Sequence, residues 1–206
     1  MKVLLVNGSP HLEGCTYTAL RAVADTLEAE GITTEIFQLG TQPVPGCIAC
    51  NFCKKNGRCY MDDVVNVFIE KAKDCDGFVF GSPVHFAGAG GTITSFMDRA
   101  FYSNRGLLAA KPAAAIASCR RGGSSTTFDQ LNKYFTINCM PIVSSQYWNQ
   151  VHGNTPEEVL QDQEGMQTMR TLGQHMAWLL ACIDAGLAAG IQAPQRETEI
   201  KTNFIR

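Results

Sequence analysis

A chain of 206 residues with 17 lysines and arginines against 19 aspartates and glutamates carries a net charge of -2 and has no sustained basic run. That balance excludes the electrostatic footprint of a nucleic-acid or anionic-membrane binder, and the length suits one compact domain over residues 1–206. The opening "MKVLLVNGSP" is too short an apolar run for a signal peptide, and no stretch approaches the ~20 apolar residues of a membrane helix. A cytoplasmic protein is therefore expected, with its nine cysteines kept as thiols.

The first predicted strand is Lys2–Gly8, and a helix-periodic stretch over Thr16–Glu30 follows it. Thr33–Leu39 reads as the second strand. After it, Gly40–Met61 shows no regular pattern, and a loop of that length inside a compact domain is usually functional. Asp62–Asp74 reads as a helix that Asp62 and Asp63 open, where carboxylates suit the helix dipole. Asp76–Val84 is the third strand, with helices predicted over Gly91–Ser103 and Ser124–Asn138 around a fourth strand at Ala113–Ser118. The fifth strand is predicted at Met140–Gln146, and one last helix at Pro156–Ala185, with Thr155, Pro156 and Glu158 as its start signals. Near-continuous apolar strands alternating with helices predict an α/β fold whose parallel sheet is covered on both faces. Five such strands suggest the doubly wound order 2-1-3-4-5, with ligands beyond the strand C-termini at the switch between strands 1 and 3.

Three loops fall on that edge. "GSPHLEGCT" follows strand 1 and is neither a dinucleotide fingerprint nor a P-loop. It does supply hydroxyls at Ser9 and Thr16, a flexible Gly14 and free N–H groups at a helix start, which would suit a mononucleotide phosphate; the alternative is that Ser9 and Thr16 only cap a turn and a helix. "GSPVHFAGAGG" leaves strand 3 and "SCRRGGSS" leaves strand 4, both rich in small residues that let backbone approach a flat ring.

Together, "GSPHLEGCTYTAL", "GSPVHFAGAGGTITSFMDR" and a cysteine loop before "DD" make the chain similar to the flavodoxin-like NAD(P)H-dependent FMN reductase family, and within it to the iron–sulfur flavoproteins. The resemblance spans nearly the whole chain and weakens after Trp148. It implies a flavodoxin-like five-stranded fold and an FMN whose phosphate is held by Ser9, His11, Thr16 and the amides of Gly14 and Cys15. It also implies an isoalloxazine lying on Pro83, Val84, His85 and Phe86, with its pyrimidine edge near Ser118, Arg120, Gly122 and Gly123. Where such proteins usually carry Arg, Asn and Tyr, this chain has His11, Cys15 and His85. The resemblance further implies a homodimer or homotetramer with the flavin near a subunit interface.

The cysteine loop holds Cys47, Cys50, Cys53 and Cys59 in the spacing C-x2-C-x2-C-x5-C. Four ligands so close are cramped for a zinc ribbon, whereas a tight C-x2-C-x2-C run with one further Cys is the ferredoxin manner of holding a cubane. Free or redox-active thiols remain the alternative, and Lys54, Lys55 and Arg58 suit either reading. The resemblance implies a [4Fe–4S] cluster on these four residues. Cys75, Cys119, Cys139 and Cys182 read as inert packing, and Asp98 and Arg99 as braces for the helix after the ring loop. With FMN bound, the flavin carries the redox chemistry, and no side chain is assigned as acid, base or nucleophile. The function so predicted is an oxidoreductase that takes electrons from NAD(P)H or a ferredoxin and passes them to a flavin, quinone, oxygen species or cluster. A non-enzymatic electron carrier and a zinc-stapled binding module are the competing classes.

Overall fold

A computed structural model of the protein describes residues 1–195, 197, 200 and 202. Six strands and eight helices follow one another as β1 (Lys2–Asn7), α1 (Cys15–Ala29), β2 (Thr33–Gln38), α2 (Phe52–Asn56), α3 (Val64–Ala72), β3 (Gly77–His85), β4 (Gly88–Ala89), α4 (Gly91–Ser103), α5 (Arg105–Leu108), β5 (Ala113–Cys119), α6 (Ser124–Ile137), β6 (Gln150–His152), α7 (Pro156–Gln161) and α8 (Gln163–Ala188). The parallel sheet runs β2-β1-β3-β5-β6, while the two-residue β4 folds back antiparallel on the end of β3. With that hairpin set aside, the order is the expected 2-1-3-4-5 of a flavodoxin-like fold.

The apolar runs are continuous because both sheet faces are covered. Successive residues of a strand point to opposite faces, so Leu4 and Val6 join Phe68, Phe80, Phe96 and Phe135 on the side of α3, α4 and α6. Val3 and Leu5 join Leu20, Val23, Leu172 and Met176 on the side of α1 and α8. Phe68 is the hub of the first layer, edge-on to Phe96 at a centroid distance of 5.1 Å and 6.0 Å from both Phe78 and Phe80.

Three elements depart from the sequence expectation. The fifth strand was expected at Met140–Gln146, but there only Ile142 bridges Ala113, and the Val143 N–H bonds the Ala113 carbonyl at 2.9 Å. The chain then leaves the ladder and rejoins it as β6, alongside Ala117–Cys119. Ser145 Oγ lies 2.7 Å from both the Tyr147 carbonyl and Asn149 Oδ1, giving the backbone a local alternative to the ladder. The long final helix is broken at Asp162, whose Oδ1 accepts from the Gly165 N–H at 2.9 Å and whose Oδ2 accepts from the His152 N–H at 2.8 Å. The carboxylate thus starts a new helix rather than continuing the old one. The patternless Gly40–Met61 contains the five-residue α2.

Candidate functional site

Every loop singled out by sequence leaves a parallel strand at its C-terminal end, so the topology gathers them on one edge of the sheet. The loop after β1 is held rigid from beneath. Asn7 is fully buried and its amide spans the loop: Oδ1 accepts from the Ser9 N–H at 3.1 Å, and Nδ2 donates to the His11 carbonyl at 3.2 Å and to Gln38 Oε1 at 2.6 Å. Gln38, at the end of β2, donates in turn to the Ser9 carbonyl at 2.7 Å. Sequence reasoning missed both residues; the only available signal was a polar residue closing each of two apolar strands.

Ser9 and Thr16 turn out to differ. Ser9 Oγ accepts from the His11 N–H at 3.2 Å, so it does cap a turn, yet its own proton stays free to donate. Thr16 caps nothing. Helix α1 starts at Gly14 without a side-chain cap, and Thr16 Oγ1 is buried with no partner. A buried hydroxyl without a protein partner can still donate to an added acceptor, and this one sits beside the uncapped first turn of α1, whose N–H groups favour an anion. A Cβ on Gly14 would come within 2.9 Å of His11 Cβ, so the cradle is tightly folded at its rim. The His11 side chain is exposed there. Cys15 opens α1, and its thiol, pushed up by burial, lies 3.6 Å from the Gly153 carbonyl.

The loops after β3 and β5 form a shelf beside this cradle. Register pairs Pro83 with Ser118, and the Gly8 N–H bonds the Gly81 carbonyl at 2.9 Å, which joins all three strand ends. Pro83 and Val84 are half-buried, His85 is exposed, and Phe86 turns the hairpin at φ 57° with its ring wholly in solvent. Ser118 is buried, whereas Arg120, Gly122 and Gly123 are exposed. Gly123 has φ 86°, and a Cβ there would lie 2.8 Å from Val84 Cγ1, so only glycine lets the two loops meet.

The cysteine loop lies on the same edge. Cys47, Cys50, Cys53 and Cys59 line one hollow together with Ile48, Tyr60, Arg99 and Tyr102. Cys47 and Cys50 are exposed, Cys53 and Cys59 half-buried, and all are free thiols. Burial pushes the Cys53 thiol up, and its neighbours Cys47, Cys59 and Cys50 push the same way. Among the described residues, no three His, Cys, Asp or Glu side chains are gathered tightly enough for a single metal ion. Four thiols on one hollow make an all-sulfur donor set that would suit a multi-iron cluster, in which each thiolate takes a different iron. The backbone bends sharply to present it, with Ala49 at φ 53°, Asn51 at φ 57° and Gly57 at φ 64°.

Two residues pin the far end of this loop. Asn66 Oδ1 accepts from the Cys59 N–H at 2.9 Å, and its Nδ2 donates to the Cys59 and Met61 carbonyls, both at 3.1 Å. Arg99 reaches in from α4 and forms a bidentate pair with Asp63 at 2.7 and 2.9 Å. Asp63 also caps α3 through the Val65 N–H at 3.1 Å, so the expected helix-start role holds and is only half of what it does. Asp98 braces α4 to α6 by accepting from the Tyr134 hydroxyl at 2.6 Å. Of the four cysteines read as packing, Cys75 and Cys119 are buried, but Cys139 and Cys182 are exposed; the first follows the end of α6 and the second lies on the outer side of α8.

The model of one family, described as NADPH-dependent FMN reductase, matches residues 1–155. The chain belongs to that family. It is an FMN-dependent oxidoreductase. An iron-sulfur flavoprotein of Methanocaldococcus jannaschii is 33% identical over 191 residues, covering 89% of this chain and 99% of that protein. An iron-sulfur flavoprotein of Methanosarcina thermophila is 24% identical over 188 residues, covering 89% of this chain and 97% of its own. Among solved structures, a flavone reductase superposes with a TM-score of 0.70 at 17% identity, over 89% of this chain and 64% of that one. An archaeal flavodoxin does so at 0.60 and 15% identity, over 88% and 99%. The last two speak to the fold. No helix among the described residues is long and apolar enough to cross a membrane.

Proposed function

We propose that this reductase couples an FMN to a [4Fe–4S] cluster on the same edge of its sheet, acting as an electron-transferring oxidoreductase formed by a single domain over residues 1–206. The observation that carries the reading is the meeting of four thiols on one hollow at the sheet end that also holds the partnerless Thr16 hydroxyl. The similarity to iron-sulfur flavoproteins supports it. Bound there, FMN supplies hydride and single-electron chemistry, and the cluster supplies single-electron storage.

The chain's own part is to bind, orient and tune. Ser9 and Thr16 donate to the phosphate, the amides of Gly14 and Cys15 point at it, and His11 adds charge when protonated. Pro83, Val84, His85 and Phe86 back the ring, while Ser118, Arg120, Gly122 and Gly123 line its polar edge. Cys47, Cys50, Cys53 and Cys59 hold the irons as thiolates, each of which gives up its proton on binding. A nicotinamide nucleotide or a ferredoxin is the donor, and a flavin, quinone or oxygen species the acceptor, in a cytoplasmic homodimer or homotetramer.

Anaerobic reconstitution of the wild type beside Cys50→Ala tests this. The wild type should take up iron and acid-labile sulfide in a cubane's ratio, with a broad visible absorption bleached by dithionite, and the variant should not hold a stable cluster. Wild-type protein that binds FMN and turns over NADPH yet takes up no iron would leave the four cysteines as thiols and the protein a plain flavin reductase.

A further inference from the structure

Arg99 is the single charged side chain among the described residues that is shut into the core, at 1% exposure. A buried guanidinium is costly unless its charge and its donors are answered, and here all five N–H groups have partners. Nη1 donates to Asp63 Oδ2 at 2.7 Å and to the Pro45 carbonyl at 3.2 Å. Nη2 donates to Asp63 Oδ1 at 2.9 Å and to the Met61 carbonyl at 3.2 Å. The fifth donor, Nε–H, points at Cys59 Sγ from 3.3 Å.

The first four contacts describe a brace: they tie the chain just before Cys47 to the chain just after Cys59, and close the hollow's base. The fifth is not needed for that. A neutral thiol is a poor acceptor, whereas a thiolate accepting from a guanidinium makes a charge-assisted bond of about twice the ordinary strength. Among the described residues, none of Cys47, Cys50 and Cys53 accepts such a bond from a side-chain donor.

We propose that Arg99 is a positioning residue that sets the reduction potential of the cluster through Cys59, a role resting on the cluster reading above. Hydrogen bonds to the sulfurs and nearby charge are the levers by which a protein tunes such a centre. The guanidinium draws electron density from Cys59 Sγ and stabilises the reduced state, so it raises the potential. Asp63 works against it, because its carboxylate offsets the same charge. The two residues of one ion pair therefore move the potential in opposite directions, which a purely structural brace would not do.

The test is an EPR-monitored reductive titration of the FMN-loaded, reconstituted protein. Arg99→Gln should make one-electron reduction at least tenfold less favourable, a downward shift of about 59 mV, and Arg99→Lys should recover part of it. Asp63→Asn, which can still cap α3, should shift the potential upward. Asn66→Ala loosens the backbone around Cys59 without touching its sulfur, and should shift the potential far less than Arg99→Gln does. Iron content of the wild type reads the cluster itself, and its absence overturns both proposals. Full iron with an unmoved potential in Arg99→Gln, or a shift of the same sign in Arg99→Gln and Asp63→Asn, overturns the role of Arg99 alone. If Arg99→Gln does not fold, the sign of the Asp63→Asn shift decides.

Discussion

Thr16 shows how much a single atom's surroundings can say. In sequence it is one of two hydroxyls near a helix start; in the fold it is buried, caps nothing and has no acceptor. A group of that kind costs stability without its ligand and contributes affinity with it. Thr16→Val should therefore leave the flavin-free protein as stable as the wild type or more so, while weakening FMN about tenfold or more. Ser9 and Thr16 replaced together by Ala should weaken it by about a hundredfold or more, two donors to a charged phosphate being lost. Equilibrium dialysis with flavin fluorescence, paired with urea unfolding of the flavin-free proteins, reads both halves. FMN retained at wild-type affinity by the double variant would place the phosphate elsewhere.

Among the elements, α4 does the most to join the two halves of the site. Gly90, just before it, donates to Ser82 Oγ at 3.1 Å under the ring shelf, and Arg99 near its far end clamps the cysteine loop. Eight helical steps separate Gly91 from Arg99, a rise of about 12 Å. One rigid rod thus fixes the spacing of shelf and hollow. At the other end of the sheet the strands are tied by charge, for Glu35 on β2 accepts from Lys2 on β1 at 2.8 Å and from Lys71 on α3 at 2.6 Å. Those two ammonium groups hold the Glu35 carboxyl below its ordinary value. A depressed carboxylate contributes stability above its unfolded value and loses it as pH falls through the folded one. Glu35→Gln should accordingly cost about 0.5–1 kcal/mol at pH 7, little because the cluster is part-exposed. The difference should fade below about pH 4. Chemical denaturation at both pH values measures it, and an equal loss at both would assign the effect to packing.

Over the whole molecule, large apolar side chains stand in water on the candidate edge as well as on α6 and α8. Leu12 follows β1, Ile48 lies within the cysteine run after β2 and Tyr60 just past it, and Phe86 tips the hairpin of β3, each more than 60% exposed. Large apolar groups on the rim of a site suit a surface that is covered in use. A homodimer or homotetramer burying this rim is the expected state, with the flavin near the contact. Light scattering should give a mass above that of one chain, and Phe86→Asp should shift it towards the monomer. A monodisperse single chain at micromolar concentration would overturn that expectation.

The sequence by itself determined the layered architecture. The apolar period of β1, β3 and β5 is continuous only if both faces are covered, and small or hydroxyl residues at three strand ends mark one edge as the candidate site. Local signals also held where they were short-range: Asp63, and Thr155 with Glu158, start helices as their spacing requires. Tertiary structure decided what depended on residues far apart in the chain. Asn7 and Gln38 hold the loop after β1 from 31 positions apart, and Arg99 meets Cys59 across 40; no local pattern encodes either meeting. The missing middle of the fifth strand and the break at Asp162 were hidden for a related reason. Ser145 and Asp162 satisfy backbone and side-chain groups locally, and whether that wins over the ladder or the helix depends on neighbours that only the folded chain brings near.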